Sequence, residues 1–512
     1  MAIALTFNIP AMIAHQGRTR ADHVALIEGR KTLNYGVLER QVCRWSSRFA
    51  ALGLAPGDRI GLCLTDTSDH VVAMLAAMRA QLPFLCMDWK SARHEVESRA
   101  AKFDLTLVLC HSERNLPSRV GVLCDDDWHA AIARAPDSFP LPRVTHGSTA
   151  LLAASSGTTG SPGVVRVSHG ALFARAVSGT WLTHSPDAAD KVLRALPMAY
   201  TLGRGFNFSY FCSGCTSVLM PSLYGPEEYL DTIERHGITH ANANPTILKW
   251  LVEHAGGAGP KLRRLKVLGC TGATLGPEIK RELLARVTPN LFEKYGAVST
   301  GVMTVARPED IAGRPASVGR PEFGVDLEVV DDAGDRVPVG TVGTVRCKSP
   351  QAANPLDAGD DRAGEANPRA GYWYTDDRGR FDEDGYLYLA GRSSSLIIRA
   401  SVNIYAEELE EVIRTHPRVS DVAVLGRASA DAGEEPVALV VLREPSGSTE
   451  RELIGYCRQR LSGNKSPAEI FFVDELPRAL AGKIKRAALP GLLRTVTEQK
   501  ASDGRAPEWK SA

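Results

Sequence analysis

The chain has 512 residues, a formal charge of +1, 44% hydrophobic residues and 23% charged residues. That length calls for two to four domains, and the near-neutral balance argues against nucleic acid or an anionic membrane surface as a partner. No apolar run reaches the roughly 18 residues of a bilayer span, so a cytoplasmic enzyme or binding protein is expected.

The opening segment, MAIALTFNIPAMIAHQGR, has no basic start and is interrupted by Asn8 and Pro10, which argues against a secretory signal. Strand-like runs then alternate with helical patterns. Asp58–Leu64 alternates as a strand, Val71–Ala80 is apolar with helix formers, and Leu105–Cys110 is strand-like again. The same rhythm returns at Lys266–Gly269, Gly276–Arg286 and Asn290–Tyr295. It predicts parallel sheets with helices on both faces. Beyond Ala316 the texture changes to short strands with turn residues between them, expected to pair antiparallel or as a barrel. Gln351–Ala370, rich in Ala, Gly, Asp and Pro, reads as an exposed loop. Residues 396–490 read as a compact βαββαβ unit, and the polar tail from about Thr495 as disordered. The ten cysteines have no framework spacing and suit a reducing compartment. The close pair Cys212 and Cys215 sits among apolar residues and is expected to be two buried thiols.

Residues 155–163, SSGTTGSPG, carry the first chemical signal. Glycines let backbone N–H groups approach an anion closely, and hydroxyls donate without bulk, so Ser155, Ser156, Gly157, Thr158, Thr159 and Gly160 suit a phosphate cradle. The spacing is not that of a Walker loop, and no lysine is present. By itself such a loop reads equally as a surface linker. Downstream, in order, come YGAVST from Tyr295, WYTDD from Trp373, LYLAGRSSSLIIRASVNIYAEELEE from Leu387, and LPRALAGKIKR from Leu476.

Together these motifs resemble the acyl-adenylate-forming superfamily, from about Val24 to Arg486. The resemblance implies an α/β fold: a large N-terminal domain of stacked doubly wound sheets plus a small distorted β-barrel, residues 1–394, and a small mobile α+β domain, residues 395–512. It implies ATP and a carboxylic acid as substrates, acyl-AMP as intermediate, and a domain rotation before a thiol attacks. Asp377 falls where the family carboxylate holds the ribose hydroxyls, and a carboxylate accepts two hydrogen bonds at once. Arg392 resembles the arginine that contacts the nucleotide. Thr271-Gly272-Ala273 matches the stretch that backs the adenine, and Tyr295-Gly296 the segment whose ring stacks near it. Lys483 matches the catalytic lysine, whose ammonium stabilises charge as carboxylate and α-phosphate combine. Lys485 and Arg486 are expected as surface charges.

The chain departs from the pattern in three places. Gly163 stands where the loop usually has lysine, and Arg166 lies three residues on. One lost charge-assisted hydrogen bond costs roughly 1.5–3 kcal/mol. Ser299 stands at the glutamate that helps hold Mg²⁺, which typically uses one or two carboxylates plus phosphate oxygens; Glu293 and Glu309 are candidate substitutes. Ala400-Ser401 replaces the Gly-Gly of the thiolation loop, where side chains crowd a narrow pantetheine arm, and Ser395 replaces the hinge aspartate.

Leu196–Phe211 is expected to line the acid pocket, with Tyr200, Gly203, Arg204 and Ala297. The string MAYTLG is similar to benzoate-type CoA ligases, which favours an aromatic or short acid. Arg204 reads either as a partner for a second carboxylate or as a structural arginine. The resulting expectation is an AMP-forming acid–thiol ligase using ATP, with weakly held Mg²⁺ and CoA as the default acceptor. The alternatives are a degenerate adenylate-binding protein, a ligase fed a preformed acyl-adenylate, or transfer to an amine or a carrier protein.

Overall fold

The structure is a computed structural model describing residues 8–154, 164–199, 201–221, 223–243, 245–255, 260–271, 275–354, 371–399, 402–429, 433–444, 449–461, 465–478 and 483–502. The chain forms two compact units. One comprises residues 1–156, 162–327 and 347–373; the other comprises 157–161, 328–346 and 374–512.

The first unit is α/β, as the alternating pattern predicts. One sheet of six strands runs, edge to edge, Gly121–Leu123, Leu105–Cys110, Arg59–Cys63, Phe84–Cys86, Thr149–Ala154 and Val164–Ser168. Its pairs are parallel except the last, which turns back antiparallel across residues 155–163. Parallel strands are covered on both faces, so they read as continuous apolar runs. The helix Ser68–Arg79 fits that setting, since every residue from Val71 to Met78 is buried.

A nine-stranded sheet carries Leu291–Ala297, Val267–Thr271, His240–Ala243, Lys191–Arg194, Thr216–Leu219 and Val24–Glu28 as its parallel centre, with antiparallel strands at both edges. The ten cysteines are free and buried. Cys212 and Cys215 flank a tight turn that the buried Tyr35 hydroxyl clamps, donating to the Cys215 carbonyl at 2.7 Å. Among the described residues no helix is long and apolar enough to cross a membrane.

The second unit shows period-2 burial plainly. Its sheet runs Val402–Tyr405, Leu396–Arg399, Gly433–Leu442, Val419–Ser429, with Glu469–Phe472 parallel to Gly433–Leu442. Val422, Val424, Ala438 and Val440 pack on the helices Ala406–Arg414 and Glu450–Arg458. Their alternates Ala423, Val437 and Leu439 pack on the opposite face with Leu489 and Leu493. Successive strand residues point to opposite faces, so one strand pair serves two cores. A four-stranded sheet, Asp326–Val330, Gly343–Lys348, Trp373–Phe381 and Leu387–Arg392, completes the architecture.

Two expectations are corrected. The tail is not disordered from Thr495: the helix Leu489–Ser502 continues through it. Buried Leu489 and Leu493 anchor its start, and Lys500 Nζ reaches Glu469 at 2.8 Å and Glu450 at 3.2 Å. Gln351, at the head of the expected exposed loop, is fully buried, its amide donating to Ser178 Oγ at 3.1 Å and the Val302 carbonyl at 3.2 Å; residues 355–370 lie outside the described set. Val402–Tyr405 is a strand paired antiparallel with Leu396–Arg399, and the helix expected from Ala406 follows it.

Candidate active site

Asp377 and Arg392 are brought opposite each other by the antiparallel register of Trp373–Phe381 with Leu387–Arg392. Arg392 Nε donates to Asp377 Oδ1 at 3.1 Å. The Asp377 backbone N–H donates to Thr375 Oγ1 at 3.2 Å, and that hydroxyl donates to the Val345 carbonyl at 2.8 Å, so the strand end is fixed. Gly391, just before Arg392, has φ +141°; a Cβ there would lie 2.7 Å from Tyr405 Cβ and 2.9 Å from Glu407 Oε2. Only glycine fits both that backbone and that space.

Lys483 lies half-buried in the same unit. Burial holds its ammonium below the ordinary lysine value; Arg392 pushes the same way and Asp377 opposes them. The sequence motifs therefore converge in space: a carboxylate, a guanidinium and a desolvated ammonium within mutual electrostatic reach.

Three residues beyond Lys483 in the chain stand ion pairs that the sequence reading missed. Lys485 is exposed as expected, but Arg486 is not a surface charge. Its guanidinium holds the Glu410 carboxylate at 3.0 Å and Glu407 at 3.1 Å, and donates to the Val424 carbonyl at 3.1 Å. Glu410 is buried, which raises its pKa to about 7 against the pull of Arg486. The acidic run AEELEE was the available signal, since a buried position among those glutamates requires a cation. Ser395 donates to Glu407 at 2.7 and 2.9 Å. An aspartate there would set two carboxylates against each other, so the serine belongs with Glu407.

In the first unit, Tyr295, Gly296 and Ala297 end the strand Leu291–Ala297, with a register shift between Tyr295 and Gly296. Tyr295 packs on the core, while Gly296 and Ala297 are exposed. Thr300 closes the following turn, its Oγ1 accepting from the Ala297 N–H at 3.0 Å. Ser299 is half-buried in that turn, its carbonyl accepting from the Ala353 N–H at 2.7 Å.

Neither proposed substitute for the metal glutamate is available. Glu293 is buried and lies 2.5 Å from Lys280 Nζ. Glu309 is exposed in the first turn of the helix Pro308–Gly313, where acidic residues complement the helix dipole. At Ser299 the chain offers a hydroxyl where the family resemblance led to the expectation of a carboxylate.

Arg166 lies on the strand Val164–Ser168. Strand register pairs it with Leu152, and it lines a cavity of about 380 Å³ with Pro56, Arg59, Gln81 and Ser148.

Two of the expected acid-pocket residues, Gly203 and Arg204, are packed against the backbone. Arg204 is a structural arginine, not a free partner for a substrate carboxylate. It is 4% exposed and donates to the carbonyls of Met198, at 3.2 Å, and Ala199. Gly203 abuts the Leu196 and Pro197 carbonyls so closely that a Cβ would overlap them. Asp66 supports the same turn by accepting from the Met198 N–H at 2.7 Å, and burial raises its pKa to about 6. Residues 155–163 (Ser155 to Gly160 among them), Tyr200, Gly272, Ala273, Ala400 and Ser401 lie outside the described residues.

Alongside the α/β architecture, the chain thus carries the Asp377–Arg392 pair near Lys483. Residues 13–355 match the model of the AMP-binding enzyme family, and residues 408–483 that of the AMP-binding enzyme C-terminal domain. The chain belongs to this family and is an AMP-forming acid–thiol ligase.

It is similar to a sulfoacetate–CoA ligase of Cupriavidus necator, 28% identical over 94% of this chain and 97% of the relative. It is also similar to a salicyl-AMP ligase/salicyl-S-ArCP synthetase of Mycobacterium tuberculosis, 28% identical over 94% and 90%. Among solved structures, o-succinylbenzoate coenzyme A synthetase (MenE) of Bacillus subtilis in complex with ATP and magnesium ion superposes with TM-score 0.84. That match is at 26% identity over 94% of this chain and 99% of that one.

Proposed function

We propose that this chain activates a small aromatic or short carboxylic acid as its adenylate and passes the acyl group to the thiol of CoA. Asp377 accepts the ribose hydroxyls, Arg392 orients that carboxylate and faces the nucleotide, and Lys483 stabilises the charge shared by carboxylate and α-phosphate. The observation that carries this reading is the partly desolvated Lys483 ammonium beside Asp377 and Arg392. An ammonium in a low-dielectric setting acts far more strongly on developing charge than one in water. The domain boundary at 394/395 belongs to the same proposal, as does a supporting role for Ser155–Gly160, Gly272, Ala273, Tyr295 and Gly296 around the nucleotide.

Magnesium enters as the counter-ion of ATP, with the Ser299 hydroxyl as the protein's contribution. A second reading is favoured by one observation: Glu293 is paired with Lys280 and so is not left to hold a metal ion on the phosphates. In that reading the chain accepts an acyl-adenylate made elsewhere and catalyses only thiolation.

Calorimetric titration with AMP, and separately with ATP plus Mg²⁺, tests both. Comparable affinity for the two supports complete ATP-driven ligation and makes an acid library with CoA the next step. Binding of AMP alone supports the second reading. No binding of either would overturn the proposal.

A further inference from the structure

The six-stranded sheet ends in a cleft of about 590 Å³ that has no part in the site described above. It is lined by Glu28, Lys31, Thr65, Asp69, His111 and Cys124. Three elements converge on one wall. Asp69 stands in the first turn of the helix Ser68–Arg79, and Cys124 ends the strand segment that leads into the helix Asp126–Arg134. His129 lies one turn into that second helix, whose N-cap Asp125 accepts from the Trp128 N–H at 3.0 Å. The donor atoms of Asp69, Cys124 and His129 all lie within 4.8 Å of one another.

We propose that Asp69, Cys124 and His129 form a binding site for a divalent transition-metal ion of the zinc class, with a fourth position open to the cleft for water. The distances carry the proposal. His129 Nε2 lies 3.4 Å from Asp69 Oδ2 and 3.9 Å from Cys124 Sγ. A tetrahedral centre with metal–sulfur of about 2.3 Å and metal–nitrogen and metal–oxygen of about 2.0–2.1 Å separates N from O by about 3.4 Å and S from N by about 3.6 Å. The nitrogen–oxygen edge is already at that length, and the sulfur–nitrogen edge has to close by a few tenths of an ångström. Thiolate, imidazole and carboxylate together select zinc-class ions over magnesium or calcium.

His111 supports the site without joining it. Its Nδ1 accepts the Thr65 backbone N–H at 3.0 Å, so in the neutral ring the proton sits on Nε2, which faces Asp69 Oδ2 at 3.9 Å. An Nε2–H cannot ligate, but it can orient a ligating carboxylate, as outer-shell groups do. Lys31 Nζ lies 4.0 Å from the other Asp69 oxygen; its side chain is 53% exposed and hydrogen-bonded to Ser68 Oγ at 2.8 Å, so water screens it. The buried Cys124 thiol gives its proton to solvent when the ion binds. The half-exposed His129 ring, set edge-on to Trp45, leaves the ion a path in.

The test uses the full chain, stripped with chelator and titrated with Zn²⁺ and, separately, Co²⁺ in the absence of nucleotide. One equivalent of Zn²⁺ per chain is expected, with a near-ultraviolet thiolate-to-cobalt charge-transfer band on adding Co²⁺. Cys124→Ser should abolish the band. His129→Gln, at a half-exposed position that leaves the fold intact by circular dichroism, should weaken binding at least tenfold. Absence of the band in the wild-type chain, or unchanged Zn²⁺ affinity in the folded His129→Gln variant, would overturn the site.

Discussion

Asp377 and Arg392 meet across one antiparallel strand pair at 3.1 Å, with Lys483 close enough that both act on its ammonium. The region around Ser299 is built the other way. Its nearest strand glutamate, Glu293, is buried against Lys280 at 2.5 Å. Both regions are rich in charge, but the Asp377–Arg392 pair is partly exposed, whereas the Lys280–Glu293 pair is buried. The lesson is that a charged residue near a motif counts for function only if its partner is weak, exposed or absent. The buried Arg204, bonded to two backbone carbonyls, teaches the same.

The comparison can be broken at either end. The largest effect is expected from Lys280→Met, which leaves the Glu293 carboxylate buried and unpaired at a cost of about 3–5 kcal/mol, read as a fall in unfolding free energy by chemical denaturation. If stability hardly changes, Glu293 is not committed to that pair and returns as a candidate metal ligand.

Lys483→Ala should lower the rate of acid-dependent ATP–pyrophosphate exchange by about 10²–10³, the scale for removing one group that stabilises transition-state charge, while AMP affinity measured calorimetrically stays near wild type. Asp377→Asn should do the reverse. AMP affinity falls by roughly 1.5–3 kcal/mol as a charge-assisted hydrogen bond is lost.

Ser299→Glu sharpens the contrast by restoring a carboxylate. It should tighten ATP–Mg²⁺ binding by about 1.5 kcal/mol, the low end for an interaction with a charged group, and leave AMP binding unchanged. An equal gain for AMP would locate the effect away from the phosphates.

A pH slope is expected as well. Lys294, beside Tyr295, is fully buried, and that burial lowers its pKa to about 7, with Glu322 opposing. Its folded value is depressed, so between pH 7 and the ordinary lysine value near 10.5 the unfolded chain binds a proton that the folded chain does not. Stability therefore rises with pH across that window. Lys294→Met should flatten this slope in melting temperature against pH.

The α/β architecture was legible because parallel strands buried on both faces have to be apolar, and runs such as Leu105–Cys110 alternate with helix-forming segments at the spacing a crossover needs. Lys483, Asp377 and Arg392 were legible because each sits in a short motif of fixed local order. Arg486, Glu407 and Ser395 were not, because their value lies in contacts with one another, the longest reaching across about eighty residues of chain. The helix through Thr495 was hidden for a related reason: its polar composition favours disorder until Leu489, Leu493 and the Lys500 ion pairs supply a surface to fold against.

The sequence by itself determined the order of the motifs, the fold class and the chemistry of the lysine and carboxylate, since those depend on residue type and local spacing. Tertiary structure alone decided which charges stay available to a ligand, because that depends on which buried group each charge meets. An unpaired charge is costly inside a protein, and only the packed chain shows where its partner is.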